Sequence, residues 1–199
     1  MISETRKQLR MAFKLLIVFT LLTGVIYPLV VTSLAQILFH WRANGSLLQA
    51  NHQVIGSRLI GQFFSSARYF WGRPSATTPF PYQTTASSGS NLAPSNPAFL
   101  SLVQARVKAL QESNPFPLEQ KTIPVDLVTA SASGLDPEIS PRAAFYQVAR
   151  IAKARGEPEE KIQTLVKRFI KPRTFGLLGE PRVNVLELNL ALDHLTVHH

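Results

Sequence analysis

The stretch LLIVFTLLTGVIYPLVVTSLAQILFHW, Leu15–Trp41, contains no Asp, Glu, Lys or Arg over 27 residues. A helix needs roughly 20 apolar residues to cross the hydrocarbon core of a bilayer. The run is therefore predicted to be a membrane span with turns to spare. Gly24 and Pro28 lie inside it. Membrane helices tolerate both, and they mark kinks or close helix contacts there. Tyr27 carries a polar tip, and Trp41 suits the interface. A cleaved signal peptide is a rival reading, because Ser33-Leu34-Ala35 offers small residues at the two positions a signal peptidase reads. The apolar stretch before it exceeds the roughly 7–15 residues of a signal core. A helix buried in a soluble core is a second rival, and length and lack of charge oppose it.

Charge sets the orientation. Arg6, Lys7, Arg10 and Lys14 precede the span against one acid, Glu4, whereas Arg42 follows it and no further Lys or Arg comes before Arg58. Positive residues next to a span stay cytoplasmic, and large downstream domains translocate largely regardless of their own charge. The expected organisation is a basic cytoplasmic N-terminus over 1–14, a transmembrane helix over 15–41, and a small extracytoplasmic α+β domain over 42–199.

The remaining bulk properties exclude whole classes of chemistry. The chain has 199 residues, 45% of them hydrophobic, which supports a buried core. It has no cysteine, so disulfides, thiolate catalysis and zinc–thiolate sites are ruled out. A net charge of +9 points to an anionic neighbour. The excess concentrates between Arg142 and Arg182, with ten Lys or Arg against four Glu. Nucleic-acid binding would interleave aromatics with these cations. Several of the aromatics present lie on helix faces that should be buried, so lipid headgroups or an acidic partner surface fit better.

The expected domain is punctuated. RLIGQFF, Arg58–Phe64, reads as a short strand, and Tyr69-Phe70-Trp71 as core anchors. The Pro-, Ser- and Thr-rich segment 72–97 cannot be an interior helix or central strand. It contains Phe80, Tyr82 and Leu92, so it is expected to be an ordered loop packed on the domain. Asn96-Pro97 opens a helix whose apolar face is Leu100, Val103, Val107 and Leu110, ending near Ser113. IPVDLVTA, Ile123–Ala130, reads as a strand. Ser140-Pro141 opens a second helix that Gly156 stops, and Pro158 precedes a third that ends at Pro172. VNVLELNLALD is read as a short strand running into a helix, with Asn184 and Glu187 spaced as a capping box.

TASASGLDPEIS, Thr129–Ser140, resembles an active site in composition but not in pattern. A nucleophile elbow needs Gly two residues either side of Ser. Neither Ser131 nor Ser133 has that. The five histidines are His40, His52, His194, His198 and His199, none in a promising triad context. Asp136 and Glu138 are too few oxygen ligands for a calcium loop. Gly134 is suited to positive φ, Asp136-Pro137 to a turn, and Ser140 to a helix cap. The stretch thus reads first as scaffold, next as a partner-contact surface. There is no phosphate-binding GxxxxGK[ST], no GxGxxG and no Asp in an aspartyl-phosphate context. His194 and His198 have metal-compatible spacing, but they sit in a terminal tail.

Taken together, GVIYPL, ANGSL, LIGQ, GRPSAT, SGSNLAPSNP, VDLVTASASGLDPEISPRAA, RIAKARG and VNVLELNLALD resemble the C subunit of the Kdp-type potassium-transporting ATPase. The resemblance runs from about Gly24 to Asp193, and departures lie mainly in the N-terminal extension and the His-containing tail. It implies a complex in which a channel-like subunit binds potassium and a P-type subunit hydrolyses ATP. The C subunit then has no activity of its own and no tightly bound cofactor; ATP is expected as a ligand through the complex, and direct nucleotide contact stays open. It is needed for assembly, and it acts as a catalytic chaperone raising ATP affinity or as an outward-facing cap at the potassium entrance. The resemblance and the residue reading together single out Gly24, Pro28, Ser131, Ser133, Gly134, Asp136, Asn184 and Glu187 as candidate contact or signature positions. Membrane lipid is an expected neighbour and nucleic acid is not. Two readings of other classes remain at this level: a membrane-anchored hydrolase using the Ser/Asp-rich stretch, and an anchored module for a small extracellular ligand.

Overall fold

The computed structural model describes residues 2–50, 53–113 and 122–196. The chain divides into two compact units, Met1–Leu47 and Leu48–His199.

The first unit is a helix long and apolar enough to cross a membrane, Ser3–Leu38, with none of its apolar window buried against protein. It runs as α1 (Ile2–Leu21), a π-turn over Leu22–Ile26, and α2 (Tyr27–Leu38). The register slip has a local cause. Pro28 has no N–H to donate to the carbonyl of Gly24, and just ahead of it the ladder widens so that Tyr27 N–H reaches Leu22 O. Such single-turn widenings absorb a helix irregularity without breaking the helix. Gly24 therefore sits at the irregularity, and nothing lies within 4 Å of a Cβ added there. After a short α3 (His40–Ala43) the helix stops at Asn44, Gly45 (φ +87°) and Ser46 (φ +51°). The Asn44 amide donates to His40 O at 2.7 Å, occupying one of the last helix carbonyls.

In the second unit, α4 (Pro97–Ser113), α5 (Pro141–Arg155), α6 (Glu159–Phe169) and α7 (Val185–Thr196) are joined by long loops and two small ladders. β1 (Leu47–Ala50) pairs with β2 (Gln53–Ser57), and β3 (Glu138–Ile139) with β4 (Val183–Asn184). The second pair is antiparallel, with Glu138 opposite Asn184 and Ile139 opposite Val183. The apolar faces of α5, α6 and α7 close on Ile151, Ile162, Val166, Leu188 and Leu192, each at most 2% exposed. Each such side chain contributes about 1.5–3 kcal/mol by leaving water. This is an α+β unit.

The helix ends follow the sequence punctuation. Asn96 Oδ1 accepts from Ala98 N at 2.9 Å, and Ser140 Oγ from Ala143 N at 3.1 Å. Gly156 takes φ +69° and ends α5. Asn184 Oδ1 accepts from Glu187 N at 3.0 Å, as a cap should. The Glu187 carboxylate instead binds Arg58 at 2.9 Å and Lys171 at 2.6 Å. Leu100 departs from the expected α4 face and is 49% exposed, whereas Val103, Val107 and Leu110 pack on the core.

Two expected strands are absent. The strand near Arg58–Phe64 lies just upstream, at Gln53–Ser57. Beyond it the chain turns at Ser57, whose hydroxyl accepts from Leu59 N, and Gly61 N donates to Leu135 O rather than to a ladder partner. Ile123–Ala130 forms a 3₁₀ turn at Val125–Leu127 instead of a strand. Thr129 bonds back to Val125 O through both its N–H (2.9 Å) and its hydroxyl (2.8 Å), and Asp126 reaches Ser140 N at 2.7 Å. The local bonds of Thr129 to Val125 O outcompete β-branched preference.

Candidate functional site

Thr129–Ser140 is a knot of short-range turns clasped by the Pro/Ser/Thr-rich loop. Ser131 is 4% exposed, and its hydroxyl accepts from Gly134 N at 2.9 Å. Ser133 Oγ accepts from Leu135 N at 3.1 Å, and Asp136 Oδ1 from Glu138 N at 3.0 Å. Each of these side chains closes the turn two or three residues ahead, as Ser and Asp do in tight loops.

The loop completes the closure. Ser75 Oγ donates to Gly134 O at 2.7 Å, and Ser87 Oγ to Ser133 O at 2.9 Å. Ser131 N donates to Pro74 O at 3.3 Å. Gly134 has φ +68°, and a Cβ there would stand 2.6 Å from Thr77 Cγ2 and 2.7 Å from Ser88 O. The position requires glycine for both conformation and space. Arg73 ties the two segments electrostatically, reaching Asp136 Oδ2 at 3.1 Å and Ala130 O at 3.3 Å. Tyr82 OH donates to Arg73 O at 2.6 Å. Burial, and then the Asp136 charge, push the Tyr82 phenol up to about 12.

This arrangement answers the chemical question. Ser131 and Ser133 are engaged in turn hydrogen bonds, and no described histidine bonds either hydroxyl. Asp136 is matched by Arg73, and Glu138 by Arg182 at 3.0 Å. Among the described residues no group of three or more His, Asp or Glu is placed to hold a metal. His194 is exposed on α7, while His52, His198 and His199 lie outside the described residues. The knot borders an open cleft of about 590 Å³, lined by Val125, Thr129, Asp136, Ile139, Arg142 and Arg182, among others. Asn184 is placed one ladder pair away, opposite Glu138, with its amide on Arg58 O at 2.8 Å. Gly24 and Pro28 belong to the other unit.

A second constellation escaped the sequence reading. The Tyr69–Trp71 segment, with Phe70 fully buried, is held by side-chain amides instead of a neighbouring strand. Asn189 on α7 accepts from Phe70 N at 2.8 Å and donates to Phe70 O at 3.0 Å. Gln147 on α5 does the same for Trp71, at 2.8 and 3.1 Å. Successive residues of an extended chain present their amides to opposite sides, so the two helices each take one. Arg150, 4% exposed, lies 3.9 Å over the Trp71 ring and donates to Ala67 O, Tyr69 O and Gln147 Oε1. Burial lowers its pKa to about 10, still a cation at neutral pH. Polar residues on otherwise apolar helix faces were the signal available for all three.

The family model described as KdpC: K+-transporting ATPase, c chain, matches residues 9–194. The potassium-transporting ATPase KdpC subunit of Herpetosiphon aurantiacus is 58% identical over 186 residues, covering 94% of this chain and 95% of that protein. That of Methylococcus capsulatus is 56% identical over 184 residues, covering 92% and 96%. That of Herminiimonas arsenicoxydans is 53% identical over 194 residues, covering 98% and 100%. With nearly its whole length matched, signature turn included, the chain belongs to the KdpC family, the c chain of K+-transporting ATPases.

Proposed function

We propose that the chain is a non-catalytic accessory subunit of a high-affinity, ATP-driven potassium uptake complex in a bacterial inner membrane, required for assembly of that complex. Its partners are a channel-like potassium-binding subunit and a P-type ATP-hydrolysing subunit. The observation that carries this reading is the self-closed knot at Thr129–Ser140. Its hydroxyls and carboxylates are matched within the chain, which suits a rigid surface held for a partner and not a reacting centre.

Arg6, Lys7, Arg10 and Lys14 ahead of the span support an orientation with the N-terminus in the cytoplasm and the α+β unit outside. Any gain in ATP affinity then reaches the hydrolysing subunit as coupling through the membrane subunits, of order 1–3 kcal/mol in typical cases. A cap over the potassium entrance is the second reading, favoured by the same exterior placement.

Alanine substitution at Ser131, Ser133 and Asp136 in the assembled complex tests this. The expected result is weaker subunit association or lower potassium-stimulated ATP hydrolysis. Hydrolytic activity of the purified chain, abolished by Ser131→Ala, would instead establish the hydrolase reading.

A further inference from the structure

The chain between α6 and β4 forms a projecting hairpin over Lys171–Arg182. Its base is an antiparallel bridge in which Lys171 and Arg182 exchange backbone bonds of 2.8 and 3.0 Å. Its tip is a second bridge, Thr174 to Leu178, with both bonds 2.9 Å. Phe175, Gly176 and Gly179 take φ of +56°, +74° and +75°, so the tip is a defined turn. Arg173 grips both Glu180 oxygens, at 2.7 and 2.8 Å, across it. What this frame presents to solvent is apolar: Phe175 is 93% exposed, Leu177 76% and Leu178 59%.

We propose that this tip is a protein-docking anchor, inserted into an uncharged apolar socket on another chain of the complex. The inference rests on the subunit reading above. Charge matching selects this occupant over lipid. A loop that enters a bilayer surface keeps cations available for headgroup phosphates. Here the cations of the hairpin are matched within the chain: Arg173 by Glu180, Lys171 by Glu187 at 2.6 Å, and Arg182 by Glu138 at 3.0 Å. The result is an apolar centre ringed by satisfied polar pairs, the anatomy of an interface hot spot. The turn is already ordered, so docking forfeits little conformational entropy.

The absence of native cysteine makes the test clean. Leu177→Cys in the full chain, labelled with bimane, is followed alone in phosphatidylcholine/phosphatidylglycerol vesicles and after co-production with the other ATPase chains. Iodide quenching should be strong in the free chain and lost on assembly, with no quenching by nitroxide lipids in either state. Separately, a Phe175→Ser/Leu177→Ser chain with an unchanged melting curve should capture the other chains at least about tenfold less. Persistent iodide access in an intact complex overturns this proposal and leaves the subunit reading standing. Nitroxide-lipid quenching of the free chain assigns the tip to lipid and overturns it. Shielding in the free chain that grows with its concentration assigns the tip to self-association, with the same consequence. Failure to co-purify with any ATPase chain overturns both readings.

Discussion

The Thr129–Ser140 knot and the Lys171–Arg182 hairpin are both tight turns stabilised by side-chain bonds and positive-φ residues, yet they relate to solvent in opposite ways. In the knot Gly134 is enclosed, Ser131 is 4% exposed, and the polar residues close on one another and on the proline-rich loop. In the hairpin the polar residues close the base and leave Phe175 in water. A residue set that looks chemical can be structural when its hydrogen-bonding capacity is already used. A bland apolar turn can instead be the surface left exposed, as Phe175 and Leu177 are. Substitutions in the knot should therefore cost stability and, with it, association, whereas substitutions at the hairpin tip should cost association alone.

The largest stability effect is expected in the knot. Gly134→Val places a branched side chain at φ +68° against Thr77 and Ser88 O, and should destabilise the α+β unit by about 3 kcal/mol or more. Thermal melts of the detergent-solubilised chain measure this, and a change below 1 kcal/mol (roughly) would mean that the loop does not clasp the turn. Asn189→Leu comes next. It leaves both buried backbone groups of Phe70 without partners, at about 1–3 kcal/mol for each. Hydrogen exchange at Phe70 should accelerate in step with the loss, and unchanged protection would contradict the bidentate grip.

Tyr82 supplies a pH-dependent test. Its pKa rises from 10.0 to about 12 on folding, so the unfolded chain ionises first. Its contribution is intact below pH 10 and declines as pH rises toward the folded value, by about 1.4 kcal/mol per pH unit across that window. Tyr82→Phe should remove that part of the alkaline slope, even though it also loses the bond to Arg73 O. Identical slopes would show that the phenol is not buried. Ser140→Ala, which removes only the α5 cap, should cost about 1 kcal/mol. At the far end, Phe175→Ser should change stability by less than about 0.5 kcal/mol while impairing assembly.

Local rules made much of this legible in the sequence. Asn96-Pro97, Ser140-Pro141, Gly156 and Asn184 each set a helix boundary through a bond within a few residues, and all four act at their expected places. The two misplaced strands failed for the same reason in reverse. Ile123–Ala130 has β-branched residues, but Thr129 offers Val125 O a closer partner than any neighbouring strand. The grip of Asn189 on Phe70 spans 119 positions and leaves no local pattern. Arg150 likewise signalled only an out-of-place cation on an apolar helix face. The hairpin was foreshadowed by TFGLLG, apolar residues between glycines and charges, but only the structure shows them facing water.

The most direct test of the account is capture of the tagged full chain from native membranes, with the associated chains identified by mass and assayed for ATP hydrolysis. The account predicts recovery of a channel-like potassium subunit and a P-type ATPase subunit, with potassium-stimulated hydrolysis that survives Ser131→Ala in weakened form. Recovery of the chain alone, carrying a hydrolytic activity that Ser131→Ala abolishes, would contradict it.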